Sequence, residues 1–254
     1  MTEVSTVPVR LLDIRQRAVL FWAQRGHHHG FCDPMQHDLF SCSGSDIWQQ
    51  IDAPDAEIRF APVFLDTRTA SAYFDELMKA ISWRHDKIRV YGKLHDVPRL
   101  HQWYGDPGTE YIWSGLIMQP QEWIPPLLQL KTLIERATAA TYNSLLANLY
   151  RNGDDAVGWH SDDEPEFQGH PTIASLSLGA GRDFILRHKN RADVPQIKIT
   201  LTHGSLLVMS GRTQQTWQHT VPRRAGVKSQ RINLTLRTSV ARSQPRQRRR
   251  NETA

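Results

Sequence analysis

The segment Arg231-Ile232-Asn233-Leu234-Thr235-Leu236-Arg237 alternates polar and apolar side chains without interruption. This period of two predicts a β-strand that buries its apolar face, because successive side chains point to opposite sides of a strand. The polar face carries Arg231, Asn233, Thr235 and Arg237. An edge strand with solvated arginines fits the pattern, but arginines that face the interior would need an anionic partner, since an unpaired buried charge is costly.

Further short strand patterns recur along the chain and constrain the fold. They are separated by Gly, Pro, Asn and Asp, and many short strands with turn signals favour a jelly-roll sandwich. One helix is expected after a cap at Asp66 and another over 124–141, opening with Pro125-Pro126. We therefore predict a mainly β fold with flanking helices. The expected strands are 58–65, 145–151, 157–160, 173–178, 183–188, 196–201, 206–209, 217–220 and 231–237.

A candidate metal site follows from His160-Ser161-Asp162 and the distant His219. In an extended segment, residues two apart point to the same face, so His160 and Asp162 could bind one ion. Two histidines and one carboxylate with open coordination positions are typical of non-haem Fe(II) oxygenases. The His-x-Asp pair alone is a weak signal, because a chain with 12 histidines produces such pairs by chance.

A second set of residues suits an organic anion. Guanidinium groups bind carboxylates through two parallel hydrogen bonds, so Arg231 and Arg237 could hold a dicarboxylic acid that also chelates the metal. Asn148 and Tyr150 are two residues apart and would place an amide and a phenol on one face of a strand. Both groups could then donate hydrogen bonds to the oxygens of that acid.

Together these motifs resemble the AlkB family of Fe(II)- and 2-oxoglutarate-dependent nucleic-acid dealkylases, over about Ile47 to Thr238. The family motifs are Asn148-x-Tyr150, His160-x-Asp162, His219 and Arg231-x-Asn233-x-x-x-Arg237. The similarity is greatest to the branch that repairs alkylated double-stranded DNA. That similarity includes Tyr91-Gly92-Lys93, Val97-Pro98-Arg99, Tyr104-Gly105-Asp106, Trp113-Ser114-Gly115, Asp162-Asp163-Glu164, Arg182-Asp183-Phe184 and Arg187-His188-Lys189.

The resemblance implies a double-stranded β-helix (jelly-roll) dioxygenase fold and a set of cofactor ligands. Fe(II) would be bound by His160, Asp162 and His219, and O2 would take an open position. The far carboxylate of 2-oxoglutarate would pair with Arg231 and Arg237. The residues expected around 2-oxoglutarate are Asn148, Tyr150, Arg231, Thr235 and Arg237.

The resemblance also implies a substrate site. A base must leave the stack before an enzyme can reach its alkylated atom, and Tyr111, Ile112 and Trp113 would line its pocket. Asp163 and Glu164 would read exocyclic nitrogens, and Tyr91 would be a wedge that fills the gap in the duplex. Core packing is the competing interpretation of Tyr111 and Trp113, and a solvated loop that of Lys189. The other expected DNA contacts are Gly92, Lys93, Arg99, Arg182, Arg187, His188, Lys189 and Arg191.

Composition and length suggest one domain with two tails. We expect a poorly ordered N-terminal extension over 1–45, an AlkB-like domain over 46–239 and a basic disordered tail over 240–254. The net charge of +5 fits a nucleic-acid partner, and no apolar run approaches the ~18 residues of a membrane span. Only two cysteines are present, so a reducing compartment is expected.

The sequence-based hypothesis is a monomeric enzyme that removes alkyl groups from bases such as 1-methyladenine and 3-methylcytosine in DNA, with duplex DNA as the expected form. It would be intracellular: cytoplasmic in a bacterium, nuclear in a eukaryote. Two alternatives remain open at this stage. The chain could be an oxygenase that acts on RNA or a protein side chain, or a non-catalytic nucleic-acid-binding module.

Overall fold

The computed structural model describes residues 47–90, 92–113, 116–167 and 169–240, and for Val90 and Trp113 it describes the backbone alone. The expected N-terminal extension, the wedge residue Tyr91 and the tail beyond Val240 lie outside these residues. The domain boundaries therefore remain predictions.

The described residues form all nine expected strands and both expected helices, together with six further strands and one short helix. The helices are α1 (Thr67–Ala80), α2 (Pro125–Thr138) and α3 (Thr213–Thr216). The strands are β1 (Gln49–Ile51), β2 (Glu57–Ala61), β3 (Lys87–Val90), β4 (Lys93–Asp96), β5 (Leu100–Gly105), β6 (Tyr111–Trp113), β7 (Leu116–Met118), β8 (Ser144–Tyr150), β9 (Val157–His160), β10 (Ile173–Gly179), β11 (Arg182–His188), β12 (Ile197–Leu201), β13 (Ser205–Ser210), β14 (Trp217–Val221) and β15 (Arg231–Arg237).

Within the described residues, the strands form two main antiparallel sheets. The larger has seven strands in the order β1-β2-β13-β10-β15-β8-β5, and the smaller has four in the order β12-β11-β14-β9. Two separate hairpins, β3-β4 and β6-β7, complete the β-structure. The predicted mainly β fold with flanking helices is confirmed.

The alternation of side chains gives the large sheet two different buried faces. On one face, apolar residues of β8 and β15, such as Leu149 and Leu234, pack with Leu77 of α1 and Leu130 of α2. On the other face, residues such as Met209 cluster with side chains of the four-stranded sheet. Each fully buried leucine of this kind contributes about 2 kcal/mol of hydrophobic free energy. The helices therefore cover one side of the large sheet, and the small sheet covers the other.

Two local predictions can be compared with the structure directly. The N-cap at Asp66 is confirmed, because its Oδ1 accepts a 2.9 Å hydrogen bond from the backbone N–H of Thr69. The expected strand over 58–65 is too long: β2 ends at Ala61, and the backbone N–H groups of Phe64 and Leu65 donate to the Gly204 carbonyl instead of a neighbouring strand.

Candidate active site

The three candidate metal ligands lie together between the sheets. His160 ends β9 and pairs directly with His219 on β14, while Asp162 follows in the next loop. Their ligand atoms all lie within 4.8 Å of one another. The Nε2 atoms of His160 and His219 are 4.0 Å and 3.8 Å from the two Asp162 carboxylate oxygens. The structure therefore brings together residues separated by 57 positions in the chain.

The protonation states of this triad suit a cation. Nδ1 of His160 lies 2.9 Å from the Gly158 carbonyl oxygen, which can only accept, so Nδ1 carries the proton and Nε2 keeps its lone pair. Burial, followed by the charge of His160, lowers the pKa of His219 to about 3. Burial alone would raise the pKa of Asp162, but Arg237, His219 and His160 outweigh it and lower the pKa. Neutral imidazole and ionised carboxylate are the forms that bind metals.

The loop that carries Asp162 is fixed by residues that the sequence motifs did not include. The backbone N–H of Asp162 donates to Oε1 of Gln214 in α3, at 2.9 Å, and Gln214 is almost fully buried. Nζ of Lys189 donates to Oδ2 of Asp163 at 2.9 Å and to the Gln214 carbonyl at 2.8 Å. Nothing in the sequence marks Gln214 as part of the site, because its contact depends on how α3 meets this loop.

One cavity is lined by all three candidate metal ligands and all five expected 2-oxoglutarate residues. Its polar floor comes from β8 and β15 of the large sheet. Its apolar walls include Phe184, Leu201, Met209 and Val221. The ring of Phe184 also stacks on His219, with 4.9 Å between ring centroids. The cavity thus combines a polar ligand set with walls that exclude water.

Arg231 lies in this cavity without a carboxylate partner among the described residues. It is 1% exposed, its Nη2 donates to Oγ of Ser177 at 2.9 Å, and its guanidinium lies 5.0 Å from the centre of the Tyr150 ring. Its Nε and Nη1 have no hydrogen-bond partner. Burial lowers the pKa of Arg231. A buried cation with open donors is costly, so an anionic ligand fits here.

Arg237 has different surroundings from Arg231, although both lie on β15. Its Nη2 donates to Oδ1 of Asp162 at 2.6 Å, and both side chains are 4% exposed. The sequence-based expectation gave both arginines to one far carboxylate. In the structure Arg237 lies beside a candidate metal ligand, so it faces the metal end of the cavity.

The remaining polar residues of the floor are linked by hydrogen bonds. Oδ1 of Asn148 accepts a 2.7 Å bond from Nε of Arg99. Thr235 donates to Oδ1 of Asn233, and Nδ2 of Asn233 donates to Oγ of Ser175. Ser175 and Ser177 were missed by sequence reasoning. Their period-two spacing on β10, the strand paired with β15, is the signal that could have found them.

A second cavity shares residues with the first and lies beside the candidate metal ligands. Tyr111 lines it, stacks on Trp103 at 4.8 Å and donates to Oε1 of Glu164 at 2.6 Å. Burial raises the pKa of Tyr111 and that of Glu164, and Oε2 of Glu164 is buried without a hydrogen-bond partner. Tyr111 is therefore both part of an aromatic core cluster and part of a cavity wall. The other residues that line this cavity are Arg99, His101, Met118, Leu146, Asn148, Val157, His160, Asp162 and Arg237.

The other expected base-pocket residues are placed differently. Ile112 alternates with Tyr111 on β6 and pairs with Ile117 of β7, so it lies on the opposite face of that hairpin. Trp113 is described by its backbone alone. Asp163 pairs with Lys189 and its side chain is 55% exposed. The structure thus exposes the side chain of Asp163, whereas Oε2 of the partly buried Glu164 lies away from solvent.

The expected DNA contacts divide into buried and accessible side chains. Assigning Arg99 to a phosphate was wrong, because it is 6% exposed and bonds Asn148 and the Ala156 carbonyl. Arg182 was also wrong: it is 1% exposed and bonds the carbonyls of Asn152, Asp155 and Pro222. The sequence alone does not indicate whether a charged side chain faces solvent or the interior.

Most of the remaining candidates keep some exposure. Gly92 and Lys93 lie at the β3-β4 hairpin, where Val90 pairs with Lys93 and Gly92 has a φ of 78°. Arg187 stacks over Trp159 at 4.2 Å and bonds Gln218. Lys189 is engaged by Asp163 and Gln214, as described above. His188 is buried beside Asp55, and Arg191 pairs with Asp193.

Comparison with known proteins gives a consistent result. The family model described as the 2OG-Fe(II) oxygenase superfamily matches residues 57–237. The chain is 42% identical over 191 residues to the bovine "Alpha-ketoglutarate-dependent dioxygenase alkB homolog 3", covering 72% of this chain and 66% of that protein. It is 37% identical over 204 residues to the human "DNA oxidative demethylase ALKBH2", covering 77% of this chain and 78% of that protein.

The chain spans just under two thirds of the length of the alkB homolog 3 proteins that it matches. Among solved structures, "The structure of OsALKBH1" aligns with a TM-score of 0.55 at 17% identity, over 75% of this chain and 99% of that one. This likeness supports the jelly-roll fold. In the part of the chain that the structure describes, neither long helix has the length and apolar character needed to cross a membrane.

Proposed function

Because the chain belongs to the 2OG-Fe(II) oxygenase superfamily, we propose that it oxidatively removes alkyl groups from bases such as 1-methyladenine and 3-methylcytosine in DNA, as direct reversal of damage. The observation that carries the proposal is the pair of adjoining cavities. One holds the metal-ligand triad and the open donors of Arg231, and the other joins two of the triad residues, His160 and Asp162, to Tyr111.

The residues of the first cavity fit Fe(II) and 2-oxoglutarate. His160, Asp162 and His219 would bind the metal, which leaves positions open for co-substrates. Arg231 would hold the far carboxylate, because two of its buried N–H groups have no partner. Arg237 would act at the metal end, where it already pairs with Asp162. Asn148, Tyr150 and Thr235 line the space between the two arginines.

Iron, 2-oxoglutarate and O2 together supply the oxidant that hydroxylates the N-alkyl carbon, with succinate and CO2 as the other products. The hydroxylated product, a hemiaminal, then releases an aldehyde and the unmodified base. The protein orients the reactants: Arg231 and Arg237 fix the co-substrate, and the apolar walls exclude water. Asp162 stays ionised because it pairs with the cationic Arg237.

The second cavity would hold the flipped base beside the metal. Tyr111 presents a ring for stacking, and Glu164 presents a buried carboxylate oxygen without a partner. A cationic methylated base is attracted both to an aromatic face and to an acidic group. The aromatic packing of Tyr111 is compatible with this role, because the same side chain lines the cavity.

Several features favour DNA over the alternatives. Relatives whose names include "DNA oxidative demethylase" are 37–43% identical to the chain. A non-catalytic module would have no need to retain all three ligands and both arginines around one cavity. The same proposal includes duplex DNA as the substrate and a monomeric state. It also includes a location with the DNA, in the bacterial cytoplasm or the eukaryotic nucleus. The wedge role belongs to Tyr91, and backbone contacts to Gly92, Lys93 and Arg187.

A substrate panel tests this proposal. Succinate formation from 2-oxoglutarate is measured with Fe(II)-loaded protein and oligonucleotides that carry 3-methylcytosine, as duplex DNA, single-stranded DNA and RNA. We expect the fastest stimulated turnover with duplex DNA, and a selective loss of duplex activity in Tyr91→Ala, since the wedge offsets an unstacking cost of about a few kcal/mol. Stimulation by RNA alone would contradict the substrate assignment, and equal effects of Tyr91→Ala on both DNA forms would contradict the wedge.

A further inference from the structure

His101 is a buried histidine that neither the sequence motifs nor the metal triad includes. It lies on β5 directly opposite Asn148 of β8. Residues that face each other in an antiparallel pair point to the same side of the sheet, so His101 shares the cavity side with Asn148. Its side chain is 3% exposed and lines the second cavity together with Tyr111 and Asp162.

The imidazole ring of His101 is positioned by Asp86 and by the backbone of Arg84. Nε2 of His101 lies 3.2 Å from Oδ2 of Asp86, and the other oxygen of Asp86 accepts a 3.0 Å bond from Nη2 of Arg84. The backbones of Arg84 and His101 also exchange two hydrogen bonds, at 2.9 Å and 3.0 Å. The contact between Nε2 and Oδ2 is electrostatic and not a hydrogen bond, because neither atom has a hydrogen-bond partner among the described residues. A lone pair on Nε2 would still repel the carboxylate, so we assign the proton to Nε2 and the lone pair to Nδ1.

The ring is neutral around neutral pH. Burial lowers the pKa of His101 to about 4; Asp86 opposes this effect, while Arg99, Arg84 and His85 add to it. Within the described residues, no hydrogen bond reaches Nδ1. His101 therefore has an uncharged hydrogen-bond acceptor to offer to a ligand in this cavity.

We propose that His101 is a specificity-determining residue that accepts a hydrogen bond from the exocyclic amine of the flipped base. This inference rests on the proposed function. Adenine and cytosine carry such an amine, whereas thymine has a carbonyl oxygen at the corresponding position. Two acceptors that face each other repel, so the same histidine would select against a carbonyl-bearing base.

The pair Asp86 and His101 acts as a unit in this proposal. Asp86 does not touch the base, and its role is to hold the ring in one tautomer and orientation. It is a positioning residue, and its side chain is 18% exposed. Replacing it therefore disturbs the core less than replacing His101.

The test compares two oligonucleotides that differ in the group at C4 of one pyrimidine, 3-methylcytosine with an amine and 3-methylthymine with a carbonyl. Dissociation constants are measured by fluorescence anisotropy with Mn(II) in place of iron and with 2-oxoglutarate, so no turnover is needed. His101→Leu should weaken binding of 3-methylcytosine about tenfold, the loss of one hydrogen bond to a cationic base. Binding of 3-methylthymine should change less than about twofold, because this base makes no hydrogen bond to His101 that the substitution could remove.

Three further variants complete the test. His101→Gln keeps an acceptor and should retain most of the discrimination, and Asp86→Ala should lower it while leaving the core in place. His170→Leu removes an exposed histidine outside both cavities and should bind as the wild type does. Melting temperatures report folding, and the Asp86→Ala result decides the matter if His101→Leu does not fold.

The outcomes separate this inference from the proposed function. Suppose that the wild-type protein binds the lesions. If the variants then weaken binding of both lesions equally, or of neither, the result contradicts the role of His101 alone. A wild-type protein that binds neither lesion better than undamaged DNA contradicts the proposed function, and the role of His101 fails with it.

Discussion

Arg231 combines almost complete burial with donor groups that have no partner. Its guanidinium donates a hydrogen bond to Ser177 and rests on the ring of Tyr150. Removing a guanidinium from water costs several kcal/mol unless its charge is compensated. The folded protein therefore carries a cost at Arg231 that an anionic ligand would recover on binding.

Replacing Arg231 by Met should affect ligand binding and stability in opposite directions. We expect the dissociation constant for 2-oxoglutarate to rise roughly 30-fold or more, because truncating one partner of a buried charge pair costs about 2 kcal/mol or more. The free energy of unfolding without ligand should stay the same or increase, since an uncompensated charge is removed. Calorimetric titration with Mn(II)-loaded protein and urea unfolding measure the two quantities.

Arg187→Met is the matched control for that prediction. Arg187 is also a strand arginine, but it bonds Gln218 and stacks on Trp159 away from the cavity. Its replacement should leave 2-oxoglutarate affinity unchanged. Unchanged affinity in Arg231→Met, or an equal loss in both variants, would refute the role of Arg231.

At the scale of residues, the sequence predicts well which side chains lie close together. It predicts less well the role of each side chain. The candidate metal ligands and the five residues expected to bind the co-substrate lie around one cavity. Arg99 and Arg182 were assigned to phosphates because charge alone does not indicate burial. Gln214 and His101 were missed because their roles depend on contacts between distant segments, which no local pattern encodes.

Among the elements, the loop after β9 matters most for the metal site. It is joined to α3 by the bond from Asp162 to Gln214, and to β11 by the bonds of Lys189, the residue that follows this strand. These contacts orient a metal ligand through its neighbours. Residues that hold a metal ligand in place in this way typically change metal affinity 10- to 100-fold when they are removed.

Replacing Lys189 by Met separates a structural role from a phosphate contact. We expect the Mn(II) affinity to fall about tenfold, because the loop loses the bridge that Lys189 forms to α3. This bridge consists of one hydrogen bond to Asp163 and one to the Gln214 carbonyl. The salt dependence of oligonucleotide binding should stay the same. A phosphate contact would instead leave metal affinity intact and lower the salt slope by about one. Titrations with Mn(II), and DNA binding at several salt concentrations, distinguish the two.

Lys198→Met provides the control for Lys189. Lys198 pairs with Asp183 on the same sheet, and its side chain is 56% exposed. Its loss should change neither quantity. A fall in metal affinity in both variants would indicate a general effect of charge instead of a specific contact with the loop.

Three of the predicted strands share a feature that several of the missed strands lack. The missed β5 is an exception, because five of its six residues are buried. The strands β8, β10 and β15 alternate or are uniformly apolar, because both of their faces are buried. The missed β4 is exposed along its whole length, and β6 and β7 have three residues each. These strands are stabilised mainly by pairing with neighbouring strands, so the hydrophobic pattern of the sequence does not indicate them.

At the scale of the whole molecule, the sandwich explains why one cavity can hold both sets of residues. β15 and β8 supply the polar floor from the large sheet, while β9 and β14 supply the histidines from the small one. The helices cover the other face of the large sheet and leave the cavity side free. Bringing the two sheets together therefore assembles the site.

The measurement that tests this account most directly is mass spectrometry of a duplex oligonucleotide that carries one 1-methyladenine. The Fe(II)-loaded protein and 2-oxoglutarate are mixed without oxygen, and the reaction is started with air. We predict that the wild-type protein removes one methyl group with the formation of succinate, and that His160→Ala does neither. An intact methyl group on both duplex and single-stranded DNA, despite succinate formation by the wild type, would contradict the proposed substrate.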